Sequence, residues 1–328
     1  MSEPRQHHYI PRFYLSGFVD SRIFQREGRE TLWVYERGQA PRASSPEKEA
    51  RQRDFYSYLD GTARNTSVEE WLSILEHAVA PIIRSVGQTK RNITEPEKEL
   101  LALFVGIMRV RTPAQRRVAA NRINPFANKM LKEAAADASM FSAFVAKNYD
   151  RAYMENFDPR DPLQVEALRQ VILDGRSDQV SGGPDFELSS MIEVGKKIGG
   201  LLLEMNWQVL CSQVEEPFLT SDDPVINFVM DEQRNKLFLR QGEEQPGVKV
   251  FFPLCSQICI LVAKDRQSGH GYWKSRASVR ALNKLVIMSA DRWVYASEQS
   301  GKIKSLLDTK GGKHSIDTED FRYHGRKY

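Results

Sequence analysis

The 328-residue sequence predicts an α+β fold, and three features predict it. Short β-type runs broken by turn residues fill roughly the first 60 positions. Apolar residues at helical spacing dominate from about 65 to 206, and short β-type runs return from 207 to 297. Strands and helices are thus segregated along the chain, which speaks against an alternating, doubly wound parallel sheet. One α+β domain is expected over 1–297, with a helical part over about 65–206 and a sheet part over about 207–297. Residues 298–328 are polar, contain Gly311-Gly312, and are expected to form a flexible tail.

The elements follow in order. In "HHYIPRFYL", a strand period would send His8, Ile10, Arg12 and Tyr14 to one face. His7, Tyr9, Pro11, Phe13 and Leu15 would lie on the other, mostly apolar face, so the segment is expected to be ordered and buried. "TLWVYERG" (Thr31–Gly38) reads as a strand that Gly38 and Pro41 end, and "RDFYSYL" as a second short one. Ser67 with Glu70 forms a capping-box pattern, followed by Val68, Trp71, Leu72, Leu75, Val79, Ile82 and Val86 at helical spacing. Thr94 with Glu97 repeats the pattern, and that helix runs through "ELLALFVGIMRVR" to Thr112-Pro113, where the proline imposes a break. Further helices are expected within 126–149, 162–174 and 188–204, with "SDQVSGGPD" as a loop. From Trp207 come "WQVLCSQ", "PFLTS", "KLFLR", "VKVFFPL" and "QICILVA", whose short connections predict antiparallel pairing. A helix, "ASVRALNKLVIM", and a strand, "RWVYAS", complete the sheet region.

Hydrophobic residues at 41% and charged residues at 27% describe a globular chain. The net charge of +4 does not by itself imply nucleic acid. No uncharged apolar run approaches the roughly 18 residues of a membrane helix, so no membrane partner is expected. No apolar signal core follows Glu3 and Arg5, and Cys211, Cys255 and Cys259 offer no disulfide framework, so a cytoplasmic location is expected. Local charge is less even. Between Arg84 and Arg122, nine basic residues face three acidic ones. This is either a solvated helix face or a phosphate-attracting surface through which nucleic acid could bind.

Few residues present chemistry. In "FLTSDDPVINF", Asp222 and Asp223 follow a strand and precede Pro224, which stiffens the turn. A carboxylate there can be a metal ligand or general base, or it can cap its own turn. Arg111 falls on the apolar face set by Phe104, Ile107 and Met108, and Arg109 flanks Val105. A buried guanidinium demands a carboxylate or a bound anion. Glu76 borders the apolar stripe of the preceding helix and is a natural partner for either arginine, with Asp222 the other candidate for Arg111. His8 shares its strand face with Arg12 and is either a hydrogen-bonded structural histidine or a ligand. Cys255 and Cys259 lack a second ligand pair, and His77, His270, His314 and His324 show no ligand spacing. There is no glycine-rich phosphate loop and no nucleophile elbow.

"HHYIPRFYLSGF", "RDFYS", "LSILEHAVAPII", "RVRTP", "FLTSDDPVI" and "LNKLVIMSADRWVYAS" resemble, in that order, the domain-of-unknown-function 4238 family. His8, Pro11, Leu15 and Phe18 match its opening H-x-x-P-x-x-x-L-x-x-F pattern, and Ser221, Asp222 and Pro224 its Ser-Asp-x-Pro element. The resemblance implies one fold from about His7 to Ser297 and a bacterial protein, and its spread among bacteria suits a role in phage defence. It assigns no activity. It does gather His8, Glu76, Arg109, Arg111 and Asp222 into family-like motifs, as one polar site to which Asn283 could add an amide. The expectation is then a nuclease-like hydrolase of phosphodiesters. Glu76 and Asp222 would hold Mg or Mn, His8 would act as acid/base, and Arg109 and Arg111 would clamp the anion. The alternative is a non-catalytic binding or interaction protein with buried structural Arg–carboxylate pairs. An open cleft shared by His8, Glu76, Arg111 and Asp222 would mark the first, and scattered or sealed residues the second.

Overall fold

The computed structural model describes residues 6–60, 63–148, 157–174, 184–212, 216–231, 233–234, 236–264, 269–273, 276–313 and 315–317. The chain divides into two compact units. The first comprises residues 1–55, 69–112 and 191–328, and the second 56–68 and 113–190. The α+β class is as predicted, with short N-terminal strands, a helical middle and a C-terminal, mainly antiparallel sheet.

The chain starts with β1 (Gln6–His8), α1 (Arg12–Leu15), a 3-10 turn (Ser16–Phe18) and α2 (Ser21–Glu27). Next come β2 (Leu32–Glu36), β3 (Arg42–Ser44), β4 (Arg51–Arg53), β5 (Tyr58–Asp60) and β6 (Ala63–Asn65). The helices are α3 (Ser67–Thr89), α4 (Glu95–Val110), α5 (Pro113–Ala136), α6 (Ala138–Asn148), α7 (Pro162–Leu173) and α8 (Pro184–Leu203). The sheet region holds β7 (Asn206–Cys211), β8 (Thr220–Ser221), β9 (Ile226–Asp231), β10 (Lys236–Leu239), β11 (Lys249–Cys255), β12 (Ile258–Ala263) and β13 (Gly269–Trp273). Then follow α9 (Arg276–Ser289), β14 (Trp293–Ala296), α10 (Gly301–Lys310) and β15 (Ser315–Asp317). Residues 301–310 and 315–317 therefore form a helix and a strand inside the stretch read as a tail, whose last part, 318–328, lies outside the described residues.

The N-terminal strand prediction is corrected after His8. Pro11 precedes a turn of helix, and its carbonyl accepts from the Tyr14 and Leu15 amides at 3.1 Å each. A proline with fixed φ favours a helix start at least as well as an extended segment. Helical spacing then turns Tyr14, Leu15 and Phe18 inward and Arg12 outward. Tyr14 stacks on Phe252 at 5.2 Å, donates to the Pro253 carbonyl at 2.7 Å and shares a 2.8 Å bond with Thr220 Oγ1. The segment is ordered and buried as expected, though by a different geometry.

In the first unit, seven strands run in the order β13-β7-β12-β11-β9-β10-β15, and four in the order β3-β2-β14-β8. Every pairing is antiparallel except β13 with β7. "ICILVA" forms β12, every residue of which is buried. A continuous apolar run suits a strand with neighbours on both sides and cover on both faces. The core joins these sheets to α9 through Phe218, Phe251, Leu261, Leu282, Leu285 and Val294. Helix α4 starts on the predicted Thr94–Glu97 capping box and stops at Val110, before Pro113. It crosses α8 at backbone distance, because a Cβ on Gly106 would lie 2.2 Å from the Gly195 carbonyl oxygen and 2.6 Å from the Gly199 nitrogen. The second unit has its own core of Ala135, Phe141, Val145, Val165 and Ile172 on α5, α6 and α7. No helix among the described residues is long and apolar enough to cross a membrane.

Candidate functional site

Three of the five predicted site residues meet. Arg111 caps the C-terminal end of α4, at 2% exposure, and its Nη1 donates to Glu76 Oε1 of α3 at 2.8 Å. Its Nη2 donates to the main-chain carbonyl of His8 at 2.9 Å. One guanidinium therefore ties the N-terminal strand to two helices. The apolar-face position of Arg111 was legible in the sequence and Glu76 was one of its two candidate partners; a backbone carbonyl as a further partner was not.

The His8 ring lies within electrostatic reach of Glu76 and Arg111. Its Nε2 bonds the Glu47 carbonyl at 3.0 Å, and because a carbonyl only accepts, that nitrogen carries the proton. The remaining nitrogen, Nδ1, makes no hydrogen bond among the described residues. Burial holds the imidazole pKa below its ordinary value; the Glu47 bond opposes this, and the Arg51 and Arg111 charges reinforce it. His8 is accordingly a neutral imidazole near neutral pH.

Arg109 and Asp222 have other partners. Arg109 Nε donates to Glu243 Oε1 at 2.9 Å, and the same oxygen accepts from Asn227 Nδ2 at 2.6 Å. Asp222 follows β8 and spends both carboxylate oxygens on the turn between α9 and β14. Oδ1 accepts the Asp291 amide at 2.9 Å, and Oδ2 accepts the Arg292 and Trp293 amides at 2.8 and 3.0 Å. Burial pushes its carboxyl up to about 7, against the opposing pull of those three N–H groups. Asp223 turns to the other side, and its Oδ1 lies 3.5 Å from Thr112 Oγ1, next in sequence to Arg111. Of the adjacent acids, it is thus Asp223 that reaches the end of α4. Asn283 is engaged as well, accepting the Leu219 amide at 3.0 Å and donating to the Pro217 carbonyl at 2.8 Å.

Glu76 and Asp222 were expected to hold a divalent metal. With both Asp222 oxygens occupied by main-chain donors, the two do not fit as a ligand pair. Among the described residues, no three or more His, Cys, Asp or Glu side chains are grouped to hold a metal ion. Four of the nine basic residues of the segment are paired with acids. Arg91 pairs with Glu97 at 2.6 Å, Arg109 with Glu243, Arg111 with Glu76, and Lys98 lies 3.9 Å from Glu95. Glu97, held by Arg91 and by its own capping box, has its pKa lowered to about 2. The Arg122 side chain lies outside the described residues.

Sequence reasoning missed two polar contacts nearby. His7, at 2% exposure, bonds Glu69 Oε2 of α3 at 2.9 Å, so the two adjacent histidines both fasten the N-terminus. Glu49 is buried and held by both terminal nitrogens of Arg42, at 2.6 and 2.9 Å, and by Ser44 Oγ. A carboxylate two positions before β4 in a charged loop carries no periodic signal that would have flagged it.

A family model described as "Protein of unknown function (DUF4238)" matches residues 6–300. No curated protein and no solved structure matches the chain. The matched span takes in every element from β1 to β14, together with Arg111, Glu76, His8 and the Asp222 turn. The chain therefore belongs to the DUF4238 family of proteins of unknown function.

Proposed function

We propose that this protein acts by binding, and that the charged residues of its family-like motifs hold the fold together. The observation that carries this reading is how those side chains are occupied. Arg111 is committed to Glu76 and the His8 carbonyl, Arg109 to Glu243, and Asp222 to three main-chain amides. A metal ligand or anion clamp needs lone pairs or N–H groups directed at open space. These groups direct theirs at the protein. On this reading the protein works in the cytoplasm, with Cys211, Cys255 and Cys259 as free thiols. The test is to melt wild type, Glu76→Gln and Arg111→Met, and to assay each with Mn²⁺ and a short oligonucleotide. The variants should melt lower, and none of the proteins should cleave. Metal-dependent cleavage that is lost in a still-folded Glu76→Gln overturns the reading.

One observation favours a second reading, the nuclease-like, metal-dependent hydrolase of phage defence. His8 is a neutral, oriented imidazole with a lone pair on Nδ1, the state a general base requires. Glu76 beside it keeps 24% of its side chain exposed. In the same cleavage assay, His8→Gln would then abolish turnover without lowering the melting temperature.

A further inference from the structure

The β1–β4 ribbon has two unlike faces. Its register places His8 opposite Arg51 and Gln6 opposite Arg53. Cross-strand partners share a face and successive side chains alternate. Gln6, His8, Arg51 and Arg53 therefore lie on one face, and His7 and Gln52 on the other. His7 is the buried anchor to Glu69. On the opposite face Gln6, Arg51 and Arg53 are exposed and His8 is half-buried. The Arg51 side chain has no hydrogen-bond or ion-pair partner among the described residues. Among the same residues the Arg53 side chain pairs only with the exposed Asp54, at 3.3 Å. Arg111, which donates to the His8 carbonyl, is already neutralised by Glu76.

We propose that this ribbon face is an oxyanion site that takes the phosphate group of a ligand. Arg51 supplies the charge and a planar fork of N–H donors, Arg53 and the Gln6 amide flank it, and His8 joins as a proton-linked member. The inference rests on the binding reading and names the class of ligand. Because His8 Nε2 is committed to the Glu47 carbonyl, Nδ1 is the atom that titrates. The groups facing the ring are Arg51 from β4, Glu76 from α3, Arg111 from the end of α4 and the Glu47 carbonyl. The two guanidiniums oppose a proton on Nδ1. A phosphate dianion beside Arg51 offsets that opposition, so binding draws a proton onto the ring.

The test uses the full chain, with NMR titration of the His8 ring and calorimetry. The probes are inorganic phosphate, a 5′-mononucleotide and a short single-stranded oligonucleotide, at matched ionic strength. Phosphate should raise the His8 midpoint by about half a pH unit or more. Arg51→Ala should weaken binding by roughly tenfold, as expected for loss of a charged hydrogen bond, whereas exposed Arg84→Ala should change nothing. Arg51-dependent binding of phosphate and mononucleotide supports the site with a free monoester as ligand. Arg51-dependent binding of the oligonucleotide alone supports it with a nucleic-acid backbone as the source. No binding of any probe, or binding indifferent to Arg51→Ala and Arg53→Ala in variants that melt like wild type, overturns it. That failure would leave the binding reading standing, which only metal-dependent cleavage overturns.

Discussion

Replacing Arg111 with methionine keeps the aliphatic stem and deletes the guanidinium. Two acceptors then lose their donors, Glu76 Oε1 at 2.8 Å and the His8 carbonyl at 2.9 Å. Removing one partner of a buried ion pair costs about 3–5 kcal/mol. Glu76 keeps 24% of its side chain in water, so the orphaned carboxylate is partly rehydrated and the lower end applies. About 3 kcal/mol in a chain of this size corresponds to a drop in Tm of roughly 5 °C, since the shift per kcal/mol shrinks as the unfolding entropy grows. Arg84→Ala, on an exposed position of α3, should shift Tm by no more than about 1 °C. The assay is a denaturant or calorimetric melt of Arg111→Met, Glu76→Gln, the double variant and wild type. The double variant should lose less than the sum of the singles, with a coupling of about 1–3 kcal/mol. Additive losses, or an Arg111→Met protein as stable as Arg84→Ala, would refute a structural ion pair.

Three more outcomes are expected. Deleting residues 1–18 removes the buried side chains of Tyr9, Ile10, Tyr14, Leu15 and Phe18. At roughly 1.5–3 kcal/mol each, this should give insoluble protein, and a soluble, cooperatively melting truncation would contradict the docked N-terminus. Gly106→Ala puts a Cβ 2.2 Å from the Gly195 carbonyl oxygen on α8, so the helices must separate; a variant that melts within about 1 °C of wild type would show that they do not pack there. Asp222→Ala leaves three amides unpaired, about 1–3 kcal/mol each before relaxation. Because burial raises the Asp222 pKa from 3.8 to about 7, its stabilisation is fully present below the unfolded value and is lost as pH rises through 7. The Tm gap between wild type and Asp222→Ala should therefore be wider at pH 5 than at pH 8, and a gap that widens with pH would reverse the assignment.

What the sequence disclosed was what side-chain periodicity and capping chemistry encode. Thr94 and Glu97 announce the start of α4, "QICILVA" announces a strand, and the spacing of Arg111 from Phe104 and Ile107 turns it inward. What stayed hidden depends on main-chain atoms or on distant partners. The Ser-Asp-x-Pro element singles out Asp222 over Asp223, but what Asp222 holds stayed hidden, because its donors are the amides of Asp291, Arg292 and Trp293, some 70 residues away. Arg109 pairs with Glu243 rather than Glu76, and that acid lies 134 residues away, between β10 and β11, where no local pattern connects it to α4. The strand reading of "HHYIPRFYL" failed at Pro11, where one proline converts period two into a helical turn. Strand β9 begins two residues after Pro224, so the turn signal of Asp222-Asp223-Pro224 stands beside its apolar run and hides it.

The central claim is that the motif residues hold a binding protein together rather than perform metal-dependent chemistry. It is tested most directly by calorimetric titration of the wild-type chain with Mn²⁺, followed by the oligonucleotide cleavage assay on the same sample. The account predicts no saturable heat attributable to Glu76 or Asp222 and an intact oligonucleotide. Stoichiometric Mn²⁺ binding that Glu76→Gln abolishes in folded protein, accompanied by cleavage, would contradict it.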